Sequence, residues 1–201
     1  MKKLILSTDN KNKVLEIKEA LAGLPLEVYA KSDFVDREIQ VDEKYDSLEE
    51  NARVKAEALK KYASDCLILA DDTGLFIQAL GGEPGVHSAR YAGNHDDDAN
   101  IKKVLEKLKD QENRSAYFKT VFVLLDPEGG EKIIEGICQG NILKDIQGPR
   151  TFGYDPIFQP KGRESSFAEM TIHEKNEISH RGKALEGLRK YLKNLLGESQ
   201  N

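Results

Sequence analysis

Residues 67–93 read LILADDTGLFIQALGGEPGVHSARYAG. The stretch opens on a short apolar run, Leu67 to Ala70, of the kind a buried strand produces. Two adjacent carboxylates, Asp71 and Asp72, stand at its end. Thr73, Gly74, a second apolar run and the turn-rich Gly81-Gly82-Glu83-Pro84-Gly85 follow. Side chains alternate along a strand, so only one of two neighbouring acids can point at a given site. A carboxylate in such a place either caps a turn or holds a hard cation and positions a water. Gly74 already supplies a turn here, so paired acids exceed what the turn needs, and use as metal ligand or base is the preferred reading.

Working outward, the chain alternates strands and helices. Lys3 to Thr8 is predicted as a first strand, and Ser7 to Lys13 as a polar turn entering a helix. The helix carries Val14, Ile17, Leu21 and Leu24 at helical spacing and ends at Gly23 and Pro25. A strand that passes through a polar loop into a helix N-terminus suits an anion, although a solvated, capped turn explains the loop equally well. It lacks the glycines of a Walker loop. Leu26 to Ala30 is a second strand, and the acid-rich Asp33 to Asp46 is expected as loop. Ser47-Leu48-Glu49-Glu50 matches a capping box opening a helix to about Tyr62, with Leu48, Ala52, Ala56, Leu59 and Ala63 as its buried stripe. Asn51 and Lys55 lie four apart on a neighbouring face, where a solvated face is the simpler expectation.

Downstream, Asp96 to Asp98 start a helix with Ile101, Val104, Leu105 and Leu108 inward. Ala116 to Leu125 and Lys132 to Gln139 form a hairpin across Asp126-Pro127-Glu128-Gly129-Gly130, and Gly140 to Ile146 extends it. The loop Gly148 to Phe158 carries three aromatics. Phe152 and Tyr154 flank a glycine and either offer a flat face to a base or form a satellite core cluster. Lys175, Ser179, His180 and Arg181 gather just before or at the start of the last helix. Cations there oppose the helix dipole, which is better explained by a ligand than by stability, although for His180 alone a satisfied structural histidine explains the position equally well. The pattern is that of an α/β domain with a mixed sheet.

Composition bounds the function. With 201 residues, 39% of them hydrophobic, the chain suffices for one sizeable domain with a real core. A net charge of -5 gives no general pull toward nucleic acid or an anionic membrane, and neither is expected as a partner. Cys66 and Cys138 each sit in an apolar run without metal-ligand spacing, so a reducing compartment is expected. The apolar run after Lys3 stops at Ser7, too short for a signal core, and no run approaches a membrane span. A soluble, cytoplasmic protein is the expectation.

Five blocks together resemble the inosine triphosphate pyrophosphatase family, which hydrolyses non-standard purine nucleoside triphosphates. They are Thr8, Asn10 and Lys13; Glu50-Asn51-Ala52 with Lys55; Asp71 to Gly93; Phe152 to Phe158; and Ser179 to Ala184. The resemblance implies an elongated mixed β-sheet with flanking helices, forming two lobes around a central cleft. It implies that the loop Thr8, Asp9, Asn10, Lys11, Asn12, Lys13 holds the triphosphate, with Lys55 adding charge. It implies that Asp72 is base and Mg²⁺ partner and that Thr73 touches substrate. An acid upstream of Glu50 would share the Mg²⁺; Glu43 fits that spacing best, with Asp42 as the alternative. Phe152, Gly153, Tyr154, Asp155, Lys175, His180 and Arg181 would hold base and nucleotide, and the family is usually homodimeric. A pyrophosphatase for modified pyrimidine or deoxynucleoside triphosphates and a non-catalytic nucleotide binder are the alternatives.

Overall fold

The apolar runs at the start of the chain pair side by side. In the computed structural model, which describes residues 1–35, 39, 41–93 and 95–197, strand β1 (Lys2–Leu6) lies between β2 (Leu26–Ala30) and β3 (Leu67–Ile77), parallel to both. Helix α1 (Lys11–Ala20) makes the crossover from β1 to β2. Among the described residues the sheet has seven strands in the order β2-β1-β3-β5-β6-β7, with a two-residue β4 (Pro84–Gly85) antiparallel to β3. Strands β5 (Ser115–Leu125) and β6 (Glu131–Ile142) flank the expected turn, where Asp126 Oδ1 accepts from the Gly130 N–H at 2.8 Å. Strand β7 (Phe158–Pro160) pairs antiparallel with β6. The remaining helices are α2 (Leu48–Lys60), α3 (Asp97–Lys107), α4 (Ile172–Ile178) and α5 (His180–Leu195).

The chain divides into two compact units. The first takes the chain through Asp72, then Val121–Glu135, then α5 from Ala184 onward; the second takes Thr73–Thr120 and Gly136–Lys183. The first unit buries Leu4, Leu6, Leu69 and Phe122 with Ile17 of α1 and Leu188 and Leu192 of α5. The second buries Leu75, Ile77, Ile101, Val104, Phe118 and Phe158 around Phe167. The inward positions expected from helical spacing are those that pack, because only one face of each helix meets the sheet.

Two local expectations are corrected, and one helix is added. No turn interrupts the chain at Asp71 to Gly74, because β3 runs on to Ile77. Gly74 is needed for closeness rather than for a bend: a Cβ there would lie 2.6 Å from the Gly85 carbonyl oxygen of β4. The β6 strand stops at Ile142 instead of reaching Ile146, since the Leu143 N–H turns to the Ile157 carbonyl at 2.8 Å. Residues before the last helix form a helix of their own, α4, with Thr171 and Glu174 as a capping box. Gly74→Ala is expected to lower unfolding free energy by about 2 kcal/mol through overpacking against β4. Urea denaturation of the variant beside wild type checks this; equal midpoints and slopes would contradict it.

Candidate active site

The loop after β1 is built by its own side chains. Thr8 Oγ1 accepts from the Asn10 N–H at 3.2 Å, and Asn10 Oδ1 caps α1 by accepting from the N–H groups of Asn12 and Lys13 at 3.0 and 3.2 Å. The Ser7 N–H donates to the Leu69 carbonyl at 2.7 Å, which ties this loop to β3 just before Asp71. Lys13, in the first turn of α1, then reaches Asp71, with Nζ 2.8 Å from Oδ2. Lys11 and Asn12 stay exposed.

Strand alternation sends Asp72 to a different partner. Lys55 Nζ lies 3.2 Å from Asp72 Oδ1 and 3.0 Å from Glu43 Oε2, so one ammonium bridges two carboxylates. Asp42 pairs instead with exposed Lys44, which leaves Glu43 as the acid of that segment directed inward. The expectation of a solvated face for Asn51 and Lys55 is wrong. Asn51 is 1% exposed, and its amide clamps Tyr45 twice, accepting from the N–H at 3.2 Å and donating to the carbonyl at 3.1 Å. A chain segment with no sheet partner gains one from a side chain, and Glu43 is thereby held over Lys55.

A cavity of about 600 Å³ within the first unit is walled by Ser7, Thr8, Asp9, Lys13, Lys31, Ile39, Val41, Glu43, Lys55 and Asp71, and Asp72 adjoins it through its ion pair with Lys55. Burial pushes the Asp72 carboxyl above its ordinary value; Lys55 pulls it back, and the neighbouring Glu43 and Asp71 push it up again. Burial acts to lower the Lys55 ammonium, but Asp72, Asp71 and Glu43 together hold it above its ordinary value. Lys55 is therefore a fixed cation, and Asp72 is a carboxylate with raised proton affinity.

Asp72 Oδ2 is buried and finds no hydrogen-bond partner among the described residues. A buried carboxylate oxygen in that condition calls for a donor or a cation. Among the described residues no three His, Cys, Asp or Glu side chains are grouped to cage a metal. Mg²⁺ needs no such cage, since one or two carboxylates plus substrate phosphates and waters hold it. Asp72 and Glu43 fit that requirement.

In the second unit the Thr73 hydroxyl meets that of buried Thr120 at 2.8 Å. The aromatic loop splits in two. Phe152 is 58% exposed, whereas Tyr154 is buried, donating from its hydroxyl to the Ser88 carbonyl at 2.8 Å. Tyr154 therefore belongs to the core and offers no free ring face, while Phe152 does. The Gly153 N–H donates to Asp97 Oδ2 at 2.9 Å. Asp155 is buried and ion-paired with Lys175. Burial drives its carboxyl upward against the pull of Lys175, Thr151 and Arg181. His180 is buried and stacks on Phe118, with centroids 4.6 Å apart, and Arg181 follows it in the first turn of α5.

A model of the Ham1 family matches residues 4–191. The chain belongs to the Ham1 family. A protein of Christiangramia forsetii named dITP/XTP pyrophosphatase is 48% identical over 192 residues, covering 94% of this chain and 98% of its own. One of Caldanaerobacter subterraneus subsp. tengcongensis with the same name is 42% identical over 202 residues, covering 99% of this chain and all of its own. The solved Ham1 protein of Staphylococcus aureus superposes with a TM-score of 0.89 at 35% identity, covering 98% of this chain and all of that one. The Ham1 protein of Coxiella burnetii gives 0.90 at 37%, covering 96% and 100%.

Sequence reasoning missed three residues of this Ham1 chain. Asn51 was set aside because a lone amide in a helix has no signature of burial. Thr120 lies within a β-branched and aromatic strand, where a threonine carries no functional signal. Lys31, which walls the cavity, follows directly after β2; the rule that ligands gather at the carboxyl ends of parallel strands points to it once β2 is known to lie beside β1. Asn51→Ala is expected to cost about 2 kcal/mol of stability, because two backbone groups of Tyr45 lose their partner. It should also speed proteolytic cleavage within residues 41–46. Unchanged thermal unfolding together with unchanged cleavage would refute the clamp.

Proposed function

We propose that this Ham1 chain is a Mg²⁺-dependent nucleoside triphosphate pyrophosphatase that removes non-standard purine nucleotides, ITP, dITP and XTP, from the nucleotide pool. The observation that carries the reading is the set of buried carboxylates and fixed lysines around one cavity, in a chain whose full-length relatives are named dITP/XTP pyrophosphatases. A nucleoside triphosphate brings about four negative charges, and Lys13 and Lys55 supply positive charge where water is scarce and it counts for more. Thr8 to Lys13 leads into the N-terminus of α1, where the helix dipole favours negative charge.

Asp72 takes the role of base. Water adds to the α-phosphorus, the bond from that phosphorus to the bridging oxygen breaks, and pyrophosphate leaves with the bonding pair. The proton of the water passes to the Asp72 carboxylate, whose raised proton affinity brings it closer to the operating pH. Lys55, bridging Asp72 and Glu43, fixes both carboxylates in place. Mg²⁺, held by Asp72 and Glu43 together with phosphate oxygens, would neutralise developing charge and acidify a bound water.

Base selection is assigned to the second unit on the strength of the motif match. Exposed Phe152 supplies a stacking face, and Lys175, with His180 and Arg181 nearby in sequence, supplies charge. A 6-oxo purine accepts where adenine donates, and an unmatched donor is strongly penalised. A homodimer and a cytoplasmic setting complete the proposal. Buried free Cys66 and Cys138 accord with the latter, and among the described residues no helix is long and apolar enough to cross a membrane.

Turnover of ITP and XTP with Mg²⁺, and little of ATP, is expected in a coupled pyrophosphate-release assay. Asp72→Asn should bind ITP and lose turnover at least a hundredfold, within the usual range for a lost base. The acid limb of the rate should lie above pH 3.8, the ordinary Asp value, because protonated Asp72 cannot accept a proton. Folding raises this pKa, so the native state binds the proton more tightly than the unfolded chain. Stability from this group is therefore full below 3.8 and falls as pH rises through the raised value, opposite in sense to activity. Equal turnover of ATP would remove the selectivity, and an active Asp72→Asn variant would remove the base.

A further inference from the structure

The three lysines of the cavity are not held alike. Lys13 is tied to Asp71, whose side chain is 5% exposed, and Lys55 to Asp72, 15% exposed. Separating either pair strands a buried carboxylate, which is costly. Lys31 is tied, at 2.9 Å, to Asp9, whose side chain is 47% exposed. A pair so open to water contributes little and parts readily. The same carboxylate accepts the Ser32 N–H at 3.0 Å through its other oxygen. Ser32 sits in the short turn after β2, which is braced by Asp33 accepting from the Ala30 N–H at 2.9 Å. Two donors, an ammonium and a backbone N–H, thus converge on one anionic group at the cavity wall.

Building on the polyphosphate reading, we infer that Lys31 and the Ser32 N–H form a further phosphate subsite, whose place Asp9 occupies until the substrate's phosphate chain or pyrophosphate displaces it. A phosphate group accepts from the same two donors and carries more charge than a carboxylate. Asp9 gives up its partners cheaply because water can solvate it. The exchange spares the buried pairs of Lys13 and Lys55, so Asp71 and Asp72 stay neutralised while the ligand enters. Asp9 also competes for these donors as pyrophosphate departs, which helps the product leave. Lys31 is a binding residue on this account, and Asp9 an internal competitor of the ligand.

Calorimetric titration of the full chain with pyrophosphate, and separately with inosine monophosphate, tests the subsite. Lys31→Met should weaken pyrophosphate about tenfold, the scale of one charge-assisted hydrogen bond, and Lys31→Arg should restore most of it. Asp9→Asn should tighten pyrophosphate severalfold. Inosine monophosphate, which has no β or γ phosphate, should bind all three variants as it binds wild type. If the pair is only a staple between two loops, both Lys31→Met and Asp9→Asn weaken pyrophosphate, and the inference is overturned. Unchanged pyrophosphate affinity in Lys31→Met, or an equal loss for the monophosphate, overturns it as well. A wild type that binds pyrophosphate as described yet does not cleave ITP keeps the subsite and removes the proposed reaction.

Discussion

Lys13 and Lys55 hold Asp71, Asp72 and Glu43 at 2.8 to 3.2 Å, and the local structure of the first unit serves to keep them there. Two of those carboxylates sit on consecutive residues of one strand. The β1–β3 register sets Leu6 beside Leu69, and the loop between β1 and α1 leaves from that point. The alternation of β3 gives each lysine its own acid. One lysine comes from the helix after β1, the other from α2, where Asn51 also anchors the segment that brings Glu43.

Such an arrangement is a poor choice for stability alone. Buried ion pairs seldom repay the cost of removing both charges from water, and apolar residues of like volume serve a core as well or better. Here a buried oxygen of Asp72 still has no hydrogen-bond partner among the described residues. Burial and neighbouring acids also drive its proton affinity up despite the lysine beside it. Strained electrostatics of this kind collect where charge must be met or a proton moved. On the proposed function, a tetra-anionic ligand arriving with a divalent cation would resolve both defects, the anion meeting the lysines and the cation the acids.

Much of the fold was legible in the sequence because it is written in periodicity. The helical stripes of α2 and α3, the Ser47 N-cap, the strand β5 and the hairpin at Asp126 need only local rules. What failed was tertiary. Gly74 looked like a turn, but its missing Cβ admits β4, which no local rule reveals. Asn51 looked solvated because its partner is backbone several residues upstream. For Tyr154 a stacking face and a core cluster stayed equally open, because a loop aromatic beside glycine gives no sign of a buried carbonyl waiting for its hydroxyl. Of the charged residues around the cavity, the Asp71-Asp72 pair stood out by type and position, Lys13 and Glu43 came from the family resemblance, and Lys31 gave no signal. Their pairing, with Glu43 on Lys55 and Asp42 on Lys44, required coordinates.

The most direct measurement is a crystal structure of the full chain with Mg²⁺ and a non-hydrolysable ITP analogue. The account predicts phosphate oxygens within hydrogen-bond reach of Lys13 and Lys55 Nζ, with the metal on Asp72 and Glu43. A triphosphate bound outside the cavity of the first unit, with both lysines still turned only to their carboxylates, would contradict it.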